Sequence, residues 1–325
     1  MTEGSLMKRF ICILLIFALC ASTALAAGYP KKKLSGIVQW GAGGGTDSLM
    51  RPLCTLAADK LGQKINVRNM SGGTGSIATQ YVFDAKADGY TLLLGAENPA
   101  LYNALGISQL TYDDFTCVLL IGDESVGITV RTGSEYKTFT QLIEAALAAP
   151  DTITLATTGV GGLPWEVNAL ICQVTGARFK QIPYDSDATA RNAVLSGECV
   201  FTVCKIQSGL ESYKAGTLDY LCLLTAEENP LLPGVPAVTC EYPEFGEFLP
   251  WGPFYGVFVK NGTDAKIIDT LTAAFLGAYN DESYRKVLDS FCINALGLTG
   301  EEAQNYIISW RDTTLSALER CGALE

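Results

Sequence analysis

Histidine does not occur anywhere in the 325 residues of this chain. That absence removes Ser-His-Asp and Cys-His nucleophilic schemes and most zinc sites, all of which need an imidazole. Eleven cysteines are present, but no two stand in a C-x-x-C spacing. Neither a metal knuckle nor a thioredoxin-like motif is therefore supported, and no metal or cofactor is expected. Positive charge is scarce: 23 Lys and Arg face 34 Asp and Glu, for a formal charge of −11. An acidic chain of this kind is poorly suited to nucleic acid or to anionic membrane surfaces. Beyond the N-terminal stretch, no apolar run reaches the ~18 residues that span a bilayer, and there is no low-complexity tract.

That N-terminal stretch has a distinct pattern. Lys8 and Arg9 precede an apolar run from Phe10 to Leu19, and Ala24-Leu25-Ala26 places small residues at the cleavage positions. This predicts a secretory signal peptide over residues 1–26. The rival, a lipoprotein cleaved before Cys20, would need a small residue where Leu19 stands. Residues 1–26 carry Lys8, Arg9 and Glu3, so their removal takes the formal charge from −11 to −12. The remaining nine cysteines run from Cys54 to Cys321, an odd number that leaves a free thiol unless chains cross-link. Many, such as Cys222 in YLCLL, read as small buried hydrophobes.

The most informative stretch is Ser35 to Leu53. Ile37 and Val38 suit a buried strand, four glycines (Gly41, Gly43, Gly44, Gly45) follow, and Leu49, Leu53, Leu56 and Ala57 recur at helical spacing. Thr46, Asp47 and Ser48 are residue types that cap helix N-termini. Strand, glycine loop and helix N-terminus together bring free amides and the positive end of a helix dipole to one place, which favours an anion. The same device recurs where Lys64–Asn69 runs into Ser71-Gly72-Gly73-Thr74-Gly75-Ser76 and then a helical pattern. A third strand, Tyr90–Leu94, ends at Gly95-Ala96-Glu97-Asn98.

The rhythm restarts in the second half. Thr152–Ala156 reads as a strand, Thr157 to Gly162 as a third glycine loop, and Trp165–Thr175 as a helix. Phe179–Ile182 is a strand ending at Pro183-Tyr184-Asp185, before a helix over Ala188–Leu195. Further strands are expected at Val118–Ile121, Val126–Val130, Val200–Val203, Tyr220–Leu224 and Tyr255–Val259. Helices are expected at Phe139–Ala149 and, after a proline-rich return path from Pro230 to Pro253, near Ala265–Tyr279, Glu282–Phe291 and Glu301–Arg320. Alternating strands and helices mean an α/β chain. Glycine-loop units in both halves predict two lobes, with the third loop facing the first two.

These residues carry a family resemblance over nearly the whole mature chain. Val38-Gln39-Trp40-Gly41-Ala42-Gly43-Gly44-Gly45-Thr46-Asp47 resembles the V-P-F-x-x-G-G-x-x-D segment of the substrate-binding proteins of tripartite tricarboxylate transporters, the TctC or Bug family. Val67-Arg68-Asn69 through Gly72-Gly73-Thr74-Gly75 is similar to that family's V-x-N-x-x-G-A-G-G. Ala87-Asp88-Gly89-Tyr90-Thr91-Leu92 is similar to P-D-G-Y-T-L. Leu232-Pro233-Gly234-Val235-Pro236-Ala237 and Lys260-Asn261-Gly262-Thr263 resemble L-P-D-V-P-T and P-x-G-T-P. The resemblance implies a two-lobed periplasmic-binding-protein-like fold of type II, a β-sheet flanked by helices in each lobe. It also implies closure on a small carboxylate, delivery to a large and a small membrane subunit, a monomer in the periplasm, and no enzymatic activity. Residues 27–123 with 254–325 would form one lobe and 124–253 the other.

Carried over position by position, the family's ligand loops fall on Ala42, Gly43, Gly44, Thr46 and Asp47, and on Gly73, Thr74 and Gly75. Glu97, Thr157, Gly159 and Gly161 complete the strand ends expected to face the cleft. The chain departs from the family twice. In its G-x-G-S-x-x-H segment, Gly162 stands for Ser and Trp165 for His; in Pro-Tyr-Lys-Gly, Pro183-Tyr184 is followed by Asp185-Ser186. These changes favour a monocarboxylate, an amino acid or an aromatic acid over a standard di- or tricarboxylate, with Trp40 or Trp165 stacking and an acidic group meeting any ammonium. For both tryptophans the alternative is core packing, for Asp47 a helix cap, and for Asp185 a solvated loop position; Tyr184 is a further ligand candidate.

A dinucleotide enzyme is the sharpest rival, since Gly73-Thr74-Gly75-Ser76-Ile77-Ala78 satisfies G-x-G-x-x-A between strand and helix. No acidic residue ends the next strand at the ribose position, however; Asp88 precedes it. Export also separates the chain from nicotinamide cofactors.

Overall fold

The computed structural model describes residues 28–184, 186–230, 232–249, 251–320 and Leu324. The leader, Cys20, Asp185 and Cys321 lie outside the described residues. Strand β1 (Leu34–Val38) is buried except at Ser35, and its apolar run pairs in parallel with β2 (Ile65–Asn69) and β3 (Thr91–Ala96) on either side. Strand β10 (Phe254–Lys260) runs antiparallel between β3 and β4 (Phe115–Glu124), and β11 (Ile293–Leu298) closes the edge beside β4. This gives a six-stranded sheet in the order β11-β4-β10-β3-β1-β2. A second sheet has five strands in the order β7 (Lys180–Pro183), β6 (Thr154–Thr157), β8 (Phe201–Lys205), β5 (Val126–Arg131) and β9 (Leu218–Leu223). Within it, β6 is parallel to β7 and β8, while β5 is antiparallel to β8 and β9.

The first sheet carries helices α1 (Gly45–Leu61) and α2 (Ser76–Asp84); the second carries α3 (Phe139–Ala148), α4 (Leu163–Thr175), α5 (Asp187–Ser196) and α6 (Ile206–Lys214). Helices α7 (Ala265–Tyr279), α8 (Glu282–Ser290) and α9 (Gly300–Arg320) follow β10. The inner parallel strands β1, β3, β6 and β8 are buried on both faces along nearly all their length because helices cover both, whereas the edge strands β2 and β7 are partly exposed. Separate apolar clusters result: Leu49, Leu53, Val257 and Phe275 pack on one face of the six-stranded sheet, while Ile128, Leu142, Val167 and Phe201 belong to the five-stranded one. Two sheets, each with its own helices and core, make two lobes.

Three connections join them. Ser125 alone separates β4 from β5. The chain returns beside it, where the Glu124 amide donates to the Pro253 carbonyl at 3.0 Å. A methyl on Gly252 would stand 2.0 Å from the Glu124 carbonyl oxygen, so the two crossing segments touch through bare backbone. The third link is α9, whose buried face repeats at Ala303, Ile307, Trp310, Thr314 and Ala317, the spacing of a helix stripe. Ala303 and Ile307 belong to the first lobe's packing and Ala317 to the second's, while Trp310 Nε1 donates to the Gly252 carbonyl at 2.9 Å.

Two elements were not expected from sequence. Helix α6 has the composition IQSGLESYK, in which glycine and two serines dilute the apolar pattern. Strand β11 contains Gly297 at φ +63° and is only partly buried over most of its length. The long path from 230 to 253 is irregular, with 3₁₀ turns at Val238–Cys240 and Pro243–Phe248. All eight described cysteines are free, and six of them are buried.

Candidate functional site

Because β1, β2 and β3 are parallel neighbours, their carboxyl ends share one edge, and the first two glycine loops and Glu97 emerge there together. The parallel set β6, β7 and β8 does the same in the other lobe, presenting the third glycine loop, Tyr184 and Lys205. In open α/β sheets this edge is where ligands bind.

The first loop is held from within. Asp47 is buried, with Oδ2 accepting from the Gly43 amide and from Arg51 Nε, each at 2.9 Å, and Oδ1 accepting from Asn69 Nδ2 at 2.8 Å. Arg51 also closes an ion pair on Oδ1 at 2.8 Å. Burial alone would raise the Asp47 pKa, but the hydrogen bonds from Arg51, Gly43 and Asn69 outweigh it and hold the carboxyl below its ordinary value. The expectation of a cap at Thr46–Ser48 is corrected: the cap is Gly44, without a side-chain cap bond, and Asp47 lies inside the first turn. Both Asp47 oxygens are thus occupied by protein, and Thr46 is buried beside it. Ala42, Gly43 and Gly44 are exposed, and a methyl on Gly43 would meet nothing within 4 Å. Trp40 is partly buried against the first-lobe core, and its carbonyl accepts from Asn69 Nδ2 at 2.9 Å.

The second loop turns through four consecutive residues of positive φ, Gly72 (118°), Gly73 (55°), Thr74 (53°) and Gly75 (88°). Tyr102 fixes it by donating to the Thr74 carbonyl at 2.8 Å. A methyl on Gly75 would stand 2.7 Å from Gln39 Nε2 and 2.9 Å from the Tyr102 hydroxyl. Gln39 in turn accepts from the Ala96 amide at 3.1 Å, tying this loop to the end of β3. Asp88, the carboxylate preceding β3, accepts from the Tyr90 amide at 3.1 Å and so serves a turn.

The third loop meets the second across the lobes. Asn98 Nδ2 donates to the Gly161 carbonyl at 3.4 Å, and a methyl on Gly161 would lie 3.8 Å from Thr74 Cγ2. Thr157 is buried at the end of β6, and its carbonyl accepts the Tyr184 amide at 2.8 Å. Gly159, at φ +88°, has open space where a side chain would be. Trp165 is partly buried against an apolar cluster made mainly of first-lobe residues together with Ala169 of its own helix. Tyr184 turns away into its own lobe, donating to Glu198 Oε1 at 2.8 Å and touching Cys199 Sγ at 3.4 Å.

Helix capping separates the helices into two sets. Helices α3, α5, α7 and α8 are capped by the side chains of Thr138, Ser186, Asp264 and Asp281. Helices α1, α2, α4 and α6 start at Gly44, Gly75, Gly162 and Lys205 with no side-chain cap bond. Three of these uncapped N-termini, those of α1, α2 and α4, follow the glycine loops at the facing strand edges and leave first-turn amides without a side-chain cap. At α6 the Ile206 and Gln207 amides already donate to the Ser125 carbonyl and to Glu124, and α5 stands at the same edge with its Ser186 cap.

Sequence reasoning named Glu97 but missed the charges around it. Glu97 (5% exposed), Glu124 (3%) and Glu166 (1%) are buried around Lys205, whose side chain is 17% exposed. Tyr255 donates to Glu124 Oε2 at 2.7 Å and the Gln207 amide to Oε1 at 3.2 Å. Lys205 stands 3.8 Å from Asp187 and 5.8 Å from the Tyr255 ring. Burial pushes Glu97 and Glu124 up to about 7, against the pull of Lys205, and raises Glu166 well above the ordinary carboxylate range, with Glu97 adding to it. Burial works against the Lys205 charge, yet Asp187, Glu124, Glu97 and Glu166 raise its pKa. Lys205 was detectable in principle, because it is a lone charge ending the apolar strand FTVCK. A separate cavity of about 250 Å³ is lined by Asp123, Glu124, Trp251 and Tyr306 beside the crossing segments; none of the glycine loops lines it.

Two lobes closing parallel strand ends and uncapped helix N-termini on one cleft define a solute-binding protein of the periplasmic type. The model of the tripartite tricarboxylate transporter family receptors, TctC, matches residues 49–313. The chain belongs to that family, which is one of solute-binding receptors and not of enzymes. Protein BugT of Bordetella pertussis is 29% identical over 272 residues, covering 81% of this chain and 82% of BugT. Among solved structures, the periplasmic binding protein BugD superposes with a TM-score of 0.81 at 22% identity, over 91% of this chain and 99% of BugD. MatC from Rhodopseudomonas palustris, with bound malate, gives a TM-score of 0.74 at 23% identity, over 90% of this chain and 98% of MatC. Among the described residues, no helix is long and apolar enough to cross a membrane.

Proposed function

We propose that this chain is a periplasmic receptor that binds a small carboxylate between its lobes and hands it to the large and small membrane subunits of a tripartite transporter, without altering it. The observation that carries this reading is the set of three helix N-termini, those of α1, α2 and α4, that follow glycine loops at one cleft with no side-chain cap. A carboxylate supplies acceptor oxygens for such amides and is favoured by the helix dipoles. The exposed backbone of Ala42 to Gly44 with the first-turn amides of α1, and the Gly73–Gly75 turn, are its seat, with Thr157, Gly159 and Gly161 closing from the other lobe. On this reading Thr46 and Asp47 shape the first loop from beneath. Malate bound to MatC supports the ligand class. We take residues 27–123 with 254–325 as one lobe and 124–253 as the other, and residues 1–26 as the export signal.

A thermal-shift screen tests the reading. A ligand that binds only the folded state stabilises it by about 2.7 kcal/mol at a hundred times its dissociation constant. Certain carboxylates should raise the melting temperature, and their amides and neutral sugars should not. Gly44→Val should abolish the response while leaving the circular dichroism spectrum unchanged, because its side chain would fill the space over the loop. Ligand recovered unchanged after incubation supports a receptor; a chemically altered product would mark an enzyme.

A further inference from the structure

The cleft carries more negative charge than its one lysine balances. Of the three buried glutamates, Glu124 is satisfied by Tyr255 and Gln207, and Lys205 has Asp187 as its nearest ion-pair partner. Glu97 Oε2 and both oxygens of Glu166 have no hydrogen-bond partner although each residue is at least nine-tenths buried. Leaving such groups unpaired is costly. The two carboxylates also belong to opposite lobes: Glu97 follows β3, and Glu166 lies in the first turn of α4. Their neighbours Asn98 and Gly161 are already joined by the 3.4 Å hydrogen bond across the lobes. Lobe closure therefore brings two unpaired carboxylates together beside the amide-lined seat for an anion.

We propose that the ligand is an aminocarboxylate, its carboxylate on the glycine-loop amides and its ammonium between Glu97 and Glu166. This rests on the carboxylate reading of the cleft and narrows it. An ammonium supplies up to three donors for the three unpaired oxygens and offsets charge that Lys205 leaves uncompensated. A metal ion is disfavoured as the cation: among the described residues, no group of three or more Cys, Asp or Glu is arranged to hold one. Because each carboxylate comes from a different lobe, the ammonium would also act as a closing contact. A plain carboxylate would close the same lobes with both glutamates still unpaired or carrying protons.

Matched pairs that differ only in the amino group test this: aspartate with succinate, glutamate with glutarate, and phenylalanine with 3-phenylpropionate. Calorimetric titrations of the purified protein should find at least one amino acid bound at least about tenfold more tightly than its des-amino partner. Glu166→Gln should remove most of that preference, weakening the amino acid while leaving the des-amino acid as tight or tighter. Glu97→Gln is the second variant if the first fails to fold. Equal or stronger binding of the des-amino acids by the wild type would overturn the proposal while leaving the carboxylate site intact. So would an unchanged preference in both glutamine variants, since an amide preserves the hydrogen bonding of a neutral carboxyl but not its charge. If neither member of any pair binds and neutral sugars or peptides do, the carboxylate reading fails as well.

Discussion

At the scale of single residues, Asp47 explains how a loop of four glycines acquires one shape. Glycine-rich backbone is costly to order, and here three hydrogen bonds and an ion pair from three partners, the Gly43 amide, Asn69 and Arg51, converge on one buried carboxylate. Asp47→Ala breaks these partly buried bonds and strands their donors, and should destabilise the fold by on the order of 1–3 kcal/mol. The effect should depend on pH in a defined direction. The folded pKa of Asp47 is lowered, so its contribution is present above the ordinary aspartate value of about 3.9 and is lost as pH falls through the lower folded value. Urea titrations of wild type and variant should therefore converge in acid and diverge above about pH 4. A difference that stays constant across that range would mean that Asp47 contributes shape without charge.

At the scale of elements, the glycines of the loops do different things. Gly43 has φ +76° and open space where a side chain would go, whereas Gly75 has φ +88° and is closed in by Gln39 and Tyr102. Gly43→Ala should cost about 1–2 kcal/mol from backbone strain alone. Gly75→Ala should cost a further 1–3 kcal/mol or so from overpacking, and it should disturb the Tyr102 bond that holds Thr74. Equal costs in chemical denaturation would show that the second loop yields without resistance. This division marks where the sequence was legible. Strand, glycine loop and helix can be read from composition and period, and the helices at Ala265–Tyr279 and near Glu301–Arg320 stand where their apolar stripes put them. Local pattern failed where tertiary contact decides: α6 forms on a diluted pattern, and β11 carries a glycine inside a half-buried edge. For the site, the loops were visible because glycine punctuates, but Glu124, Glu166 and Lys205 are unremarkable in sequence. Their meaning comes only from the two sheets facing each other, which sets residues 97, 124, 166 and 205 around one point. Asp47 looked like a cap because Asp is a capping residue; the glycine before the helix took the cap position instead.

At the scale of the whole molecule, burial of carboxylates from both lobes couples closure to protons. Burial pushes Glu97 up to about 7 in this arrangement and raises Glu166 well above its ordinary range, against an ordinary glutamate value of about 4.3. A raised carboxyl favours the closed state below its ordinary pKa, and the advantage disappears as pH rises through the shifted value. The other charged and titratable groups facing the pair are Lys205, Asp187, Glu124, Tyr102, Tyr112 and Tyr255; the lysine attracts, Asp187 and Glu124 repel, and the tyrosines stay neutral. Unfolding is not needed to relieve the repulsion, because separating the lobes parts Glu97 from Glu166. The ligand-free protein should therefore expand between about pH 5 and about pH 8, visible as a rise in radius of gyration by small-angle X-ray scattering. Glu166→Gln should remain compact across that range, since one of the two like charges is gone. An aminocarboxylate ligand should keep the wild type compact at the upper end by placing an ammonium where the proton was. A wild-type radius that does not change with pH in the absence of ligand would mean that the crossing segments and α9 hold the lobes shut against the charge, and the coupling argued from Glu97 and Glu166 would not exist.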